Sequence, residues 1–173
     1  MHCIQYIAVK EESKQDAFDT VKCFLEGQMG NDENLSSWYD WFVTGGGRWS
    51  TSDDPYDDTY TGDVVHQSED KFQEYLDTAH KFRLAQLNQH IEDAREINLP
   101  DLLDKLEDFE HDHYRVGMDL YSVKKLYDLA LGIWDYNSYF FDIINDTTNR
   151  KSMLDSIDNG DKNWYLVPVD FHF

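Results

Sequence analysis

Trp164-Tyr165-Leu166-Val167-Pro168-Val169-Asp170-Phe171-His172-Phe173 is a β-prone run with apolar side chains at both odd and even positions. A strand of this kind is buried on both faces. Pro168 interrupts it with a nitrogen that cannot donate to a ladder, and a proline inside a strand predicts a sheet edge. The residues upstream extend the pattern. Ile133–Ile144 (IWDYNSYFFDII) is aromatic and β-prone, Thr147 or Thr148 can cap a short helix containing Met153, Leu154 and Ile157, and Asn159-Gly160 ends it. The beginning of the sequence has the same order. Cys3, Gln5, Ile7 and Val9 alternate with Ile4, Tyr6 and Ala8 in a first strand. Ser13, with Asp16 three residues on, caps a helix whose stripe is Ala17, Val21, Phe24 and Leu25, and Gly27 and Gly30 stop it. Ser37–Thr44 (SWYDWFVT) is a second strand, ended by Gly45-Gly46-Gly47. Two strand–helix–strand units predict an α+β, ferredoxin-like antiparallel sheet built from residues 1–49 and 132–173. In that topology the fourth strand lies at an edge, which agrees with Pro168.

Residues 50–131 form a long insertion in the same domain. Its first part, Ser50–Asp70, holds seven acidic residues and no lysine or arginine, and reads as a loop with a short strand at Val64-Val65. Ser68 then caps a long helix whose stripe is Phe72, Leu76, Ala79, Phe82, Leu87, Ile91, Ala94 and Ile97. Leu102, Leu103, Leu106 and Phe109 mark a second helix after Pro100. Val123, Leu126, Tyr127 and Ala130 mark a third, ending at Leu131.

Trp38-Tyr39-Asp40-Trp41-Phe42-Val43-Thr44-Gly45-Gly46-Gly47-Arg48-Trp49 resembles the DWYxxGGRW signature of small uncharacterised proteins common in bacteriophages and prophages. Trp164–His172 (WYLVPVDFH), preceded by the aromatic run Tyr136–Asp142, resembles the ends of the same proteins. The resemblance covers about 60 residues of the two ends and omits the acidic insertion. It implies a phage setting and a shared core, with no assigned chemistry, and host cytoplasm as the location.

Composition excludes several classes. The 173 residues carry 35 acidic against 15 basic side chains, a formal charge of −20. Direct nucleic-acid binding is not expected, because phosphate affinity comes mainly from Lys and Arg. Aromatics at 15% exclude an acidic disordered tail. No apolar run reaches the roughly 20 residues of a membrane span, and Met1–Lys10 lacks the pattern of a secretion signal. Cys3 and Cys23 lie in no CxxC and read as two inert, mostly buried thiols of a reducing cytosol. No cofactor motif is present: there is neither GxxxxGK[ST] nor GxGxxG. Glu107 and His111, i and i+4 on a helix, supply two possible metal ligands near His113. Nothing in the spacing adds a third from His66, His80 or His90, so no metal site is expected.

Two classes of site remain. Ser50–Asp70 and Glu92–Asp119 together hold seventeen acidic residues against three basic ones. Carboxylates three or four apart on a helix stand roughly 5–6 Å apart, on the scale of successive phosphates. This concentration points to a non-enzymatic acidic interaction protein with no catalytic residues. Its partner would be a basic, nucleic-acid-binding host protein whose groove the carboxylates occupy in place of nucleic acid, an anti-restriction or anti-CRISPR inhibitor in a phage setting. The acidic face would comprise Asp53, Asp54, Asp57, Asp58, Glu92, Asp93, Glu96, Asp101, Asp104, Glu107, Asp108, Glu110 and Asp112. Solubility, or life in high salt, explains the same charge without a partner. The alternative class is a small-ligand or nucleotide pocket. It would be centred on Gly46, Gly47 and Arg48, walled by Trp38, Trp41 and Trp49, with Asp170 and His172 sharing a face of the last strand. Against it, an Asp–His pair at i and i+2 is roughly 7 Å apart, too far for a direct hydrogen bond.

Overall fold

The computed structural model describes residues 1–29, 38–98, 100–102, 104 and 120–173. It is an α+β fold with a mixed, open sheet. The described elements are β1 (His2–Lys10), α1 (Lys14–Met29), β2 (Trp41–Thr44), a 3-10 turn (Gly47–Trp49), β3 (Val65–His66), α2 (Asp70–Arg95), α3 (Tyr121–Leu131), β4 (Phe140–Asp142), α4 (Lys151–Asp158) and β5 (Trp164–His172).

The sheet order is β2-β5-β1-β4, with β3 also paired to β5. β5 runs antiparallel to β1 over nine residue pairs, from His2↔His172 to Lys10↔Trp164. Its other side is covered by β2 at one end and β3 at the other, both antiparallel, while β4 joins β1 in parallel. The last strand is therefore interior, and this is not the ferredoxin-like order, which would place it at an edge. The expectation drawn from Pro168 fails for a local reason. Tyr6, opposite Pro168, donates its N–H to Tyr139 on the β4 side, 3.1 Å away. That pair is thus a non-hydrogen-bonded one, in which Pro168 turns its nitrogen away from β1. On the other side the Pro168 carbonyl accepts from Gly45 N at 2.9 Å, and the nitrogen faces the interval between Thr44 and Val65 where neither short strand pairs. An interior strand accepts a proline there without losing a ladder bond.

The third-strand candidate, 133–144, shrinks to three residues. Asp135, Asn137 and Ser138 close a turn: Ser138 N donates to the Asp135 carbonyl at 3.0 Å and Asn137 N to its carboxylate at 2.8 Å. Tyr139 follows with φ +57°. A three-residue β4 offers β2 little ladder to join, whereas the nine-residue β5 has a free side.

Both faces of the sheet are covered. Ile7, Val9, Val167, Val169 and Phe171 meet Ala17, Phe18, Val21 and Leu25 of α1. Ile4, Tyr6, Ala8, Trp164 and Leu166 meet Phe72, Leu76 and Ala79 of α2 and Met153 of α4. Ser13 caps α1 as expected, its hydroxyl accepting from Asp16 N at 3.1 Å. Gly27 lies inside α1 rather than ending it. Cys3 is buried, which pushes its thiol up to about 12, but Cys23 is exposed rather than buried.

The insertion starts at the β3 edge and crosses the sheet. Glu69 precedes α2, accepts from His66 N at 2.7 Å and pairs with Lys14 at 3.0 Å. The apolar stripe of α2 is buried only through Ala79; Phe82 packs against the Tyr139 ring near β4, tilted to it, and is 42% exposed. Beyond it α2 overhangs the sheet, and α3 packs there with its amphipathicity inverted. Ser122, Lys125 and Asp128 are buried while Val123 and Tyr127 are exposed. The polar face turns inward because it has partners. Lys125 pairs with the buried Asp135 at 2.6 Å and lies over the Tyr136 ring, and Ser122 donates to Asp93 at 3.1 Å. Gly132, at φ 71°, caps α3 in the left-handed conformation, where its N–H and that of Ile133 reach back to Leu129 and Asp128.

Candidate functional site

The structure divides the acidic residues expected to form one face. Asp53, Asp54, Asp57 and Asp58 lie in the loop beside the β2 and β3 edge, where Asp58 pairs with Lys22 of α1 at 2.7 Å. Glu92, Asp93 and Glu96 lie at the far end of α2, past the β4 edge. From Asp70 to Glu92 the helix rises roughly 33 Å at 1.5 Å per residue. Asp101 and Asp104 are exposed just beyond that end. Glu107, Asp108, Glu110 and Asp112 lie outside the described residues. A single contiguous acidic face is thus not what the described residues form; they form two separate acidic regions.

The loop region is built from its own sequence. Asp63 is buried and acts as the post: it accepts from Thr51 N at 2.6 Å and from the Ser50 hydroxyl at 3.0 Å, and it pairs with Lys71 at 2.7 Å. Burial pushes Asp63 up, but Lys71, the Thr51 N–H and the two hydroxyls outweigh it and hold the carboxyl below its ordinary value. Above that post two of the exposed carboxylates, Asp54 and Asp57, are tied within the loop itself. Asp54 accepts from Tyr56 N at 2.9 Å, and Asp57 from the Thr59 hydroxyl at 2.6 Å and Thr59 N at 3.0 Å. These are Asx turns, which fix a loop without secondary structure. The Thr59 contacts also hold Asp57 below its ordinary value, so it stays ionised. Tyr56, between these aspartates in the sequence, is 65% exposed. The charge pattern pointed to this loop; its ordering by Thr59 and Asp63 and the exposure of Tyr56 were not read from it.

The residues of the alternative pocket do not converge. Trp38 packs on the α1 side, against Phe171 at 4.8 Å and Trp134 at 5.6 Å between ring centroids. Trp41 lies on the opposite face, stacked on His172 at 5.1 Å. Trp38 precedes β2, whose strand begins only at Trp41, and the two rings pack on opposite faces of the sheet, so they do not wall one pocket. Trp49 is exposed, and Arg48 contributes its backbone N–H to Asp170 at 3.2 Å. The glycines answer a packing need rather than a ligand. Gly45 and Gly47 have positive φ, and a Cβ would collide with the Tyr60 carbonyl at Gly45 and with Asp170 at Gly47. Asp170 and His172 do share a face, yet the buried Asp170 pairs with His2 across the β1–β5 ladder, Nδ1 to Oδ1 at 2.9 Å, while His172 approaches Asp40 at 3.3 Å.

No group of three or more His, Cys, Asp or Glu side chains is placed to hold a metal among the described residues. Glu107, His111 and His113 fall outside them. Of the other histidines, His66 bonds Ser68 at 2.7 Å, and His90 is buried with no partner for either nitrogen among the described residues. No described helix is long and apolar enough to cross a membrane. No family model matches the chain, and neither a curated protein nor a solved structure matches it.

Proposed function

We infer that this chain is a non-enzymatic interaction protein that docks a basic, nucleic-acid-binding partner through the acidic loop 51–58. The observation that carries the reading is the preset arrangement of that loop. Four aspartates flank one exposed tyrosine in the sequence; hydrogen bonds within the loop hold Asp54 and Asp57, and Lys22 of α1 holds Asp58, before any partner arrives. A preordered surface loses less conformational freedom on binding. A tyrosine flanked by charged residues is the composition of an interface anchor, and the field of those residues speeds encounter with a cationic surface. Surfaces that bind nucleic acid are the most basic available. The phage-type resemblance makes a host defence protein of the restriction or CRISPR kind the first partner to try, with the carboxylates standing in for phosphates.

The test is capture of purified effectors of that kind on the immobilised chain at low and moderate salt. Binding should fall steeply as salt rises, and fall again for Tyr56→Ala and for Asp53→Asn/Asp54→Asn. A complex indifferent to salt, or one untouched by both variants, would set the reading aside.

A further inference from the structure

At the β4 edge, a groove of about 440 Å³ opens between α2, α3 and the Thr147–Arg150 turn that leads into α4. Its charge has the opposite sign to the rest of the protein. The titratable side chains that line it are His80, Arg83 and Arg150, with no carboxylate among the described lining residues, in a chain with 35 acidic residues and only five arginines. Two acidic groups act on its arginines: Asp77, 3.6 Å from Arg150, and Asp135, whose charge reaches Arg83.

Arg83 is half-buried and has no carboxylate partner among the described residues. Its guanidinium donates to the Thr148 carbonyl and, at 3.5 Å, to the Leu129 carbonyl. A guanidinium has five N–H groups, so these two bonds leave donors over. Burial presses the Arg83 pKa down, with Asp135 opposing, so its charge sits in a site that water solvates poorly. Arg150 spends one N–H on the Leu76 carbonyl at 3.1 Å. The independent sign of a ligand is Thr148. It is 2% exposed and lines the groove, and its hydroxyl has no partner among the described residues. A buried hydroxyl without a hydrogen bond costs stability, and one in the wall of a groove that two arginines also line is matched by an oxyanion. The remaining wall is apolar: Leu84 and Leu87 of α2 face Phe140 of β4.

We propose that this groove binds a phosphate monoester with an apolar or aromatic body. The phosphoryl group lies between Arg83 and Arg150 against the Thr148 hydroxyl, and the body lies on Leu84, Leu87 and Phe140. A carboxylate has two oxygens and is matched by one guanidinium fork. Two guanidinia, a hydroxyl and the side-chain NH2 of the adjacent Asn149 offer more donors than that, and a phosphoryl group brings three acceptor oxygens and close to two charges. The site is independent of the acidic loop, which lies at the other edge of the sheet.

Calorimetric titration of the full chain with phenyl phosphate tests the proposal, with inorganic phosphate and benzoate as comparisons. Phenyl phosphate should bind saturably and more tightly than either. Arg150→Gln should weaken it roughly ten-fold and Thr148→Val several-fold. Thr148→Val should also leave the thermal midpoint unchanged or higher, since it removes only a buried unpaired hydroxyl. If Arg83→Gln fails to fold for want of its two carbonyl contacts, the other two variants carry the test. Absence of heat with phenyl phosphate at millimolar concentration would overturn the site. Undiminished binding by both Arg150→Gln and Thr148→Val would overturn its location, and benzoate binding as tightly as phenyl phosphate would overturn the phosphoryl assignment.

Discussion

The two edges of the sheet are held and charged in opposite ways. At the β2 and β3 edge, a loop without regular structure hangs on one buried carboxylate, Asp63, whose cation Lys71 is 39% exposed. At the β4 edge, α3 turns its polar face inward around Lys125 and Asp135, each only 11% exposed, and the groove beside it gathers arginines. The first edge shows water a set of carboxylates on a half-solvated foundation. The second keeps its ion pair dry and its cations half-hidden. Net charge alone, −20, describes neither.

That contrast sets the largest expected effect. Lys125→Met leaves the buried Asp135 carboxylate without its cation, and breaking a buried pair from one side costs about 3–5 kcal/mol. Urea unfolding should show that loss, together with exposure of α3. Asp63→Asn keeps an oxygen acceptor for Thr51 and Ser50 but loses the charge that Lys71 balances. With solvent screening at Lys71 discounted, the cost should be about 1–2 kcal/mol. If Asp63→Asn proved the costlier of the two, the ranking of the edges as dry and half-solvated would be wrong.

The contrast also shows what a sequence can and cannot disclose. The alternation of Cys3–Val9, the Ser13 cap and the Phe72, Leu76 and Ala79 stripe are local patterns, and each became the element it predicted. The acidic loop was legible for the same reason, since its four aspartates lie within six consecutive residues. The groove was not. It assembles residues from α2, the end of α3, the Ser138–Phe140 strand entry and the Thr147–Arg150 turn. No spacing in the chain links those segments. The inversion of α3 escaped as well, because apolar periodicity says which residues share a face but not whether a lysine on the other face has an aspartate waiting. Pro168 misled because its cost depends on which side its nitrogen faces, and that follows from the register of three other strands.

Acid should separate the edges by a third route. Asp57, Asp63 and Glu69 are all held below their ordinary values by contacts that exist only in the folded protein: Thr59 for Asp57, Lys71, Thr51 and Ser50 for Asp63, and the His66 N–H and Lys14 for Glu69. Groups depressed in this way add stability that is fully present above the unfolded carboxylate value, roughly pH 4, and is lost as pH falls through the lower folded values. Amide exchange at Thr51 and Thr59 should therefore speed up relative to the β5 core as pH drops below about 4. The guanidinia of the groove do not titrate there. Amides of Asn149 and Lys151 should keep their protection over the same range; joint loss at both edges would mean global unfolding rather than release of the loop.

The smallest effect concerns the charge itself. Asp53→Asn, Asp54→Asn and Asp57→Asn together keep the oxygen acceptors of the Asx turns and remove three negative charges from a protein that already repels itself. Self-repulsion destabilises the compact state and is screened over roughly 10 Å at 0.1 M salt. The triple variant should melt slightly higher than the wild type at low salt, and the difference should vanish near half-molar salt. Arg150→Gln should move the other way at low salt, because it removes a cation from a molecule short of them. A triple variant that melts lower at every salt concentration would mean that the ionised carboxylates hold the loop together. They would then be structural acceptors rather than charge kept exposed, at a cost in stability, for a partner to meet.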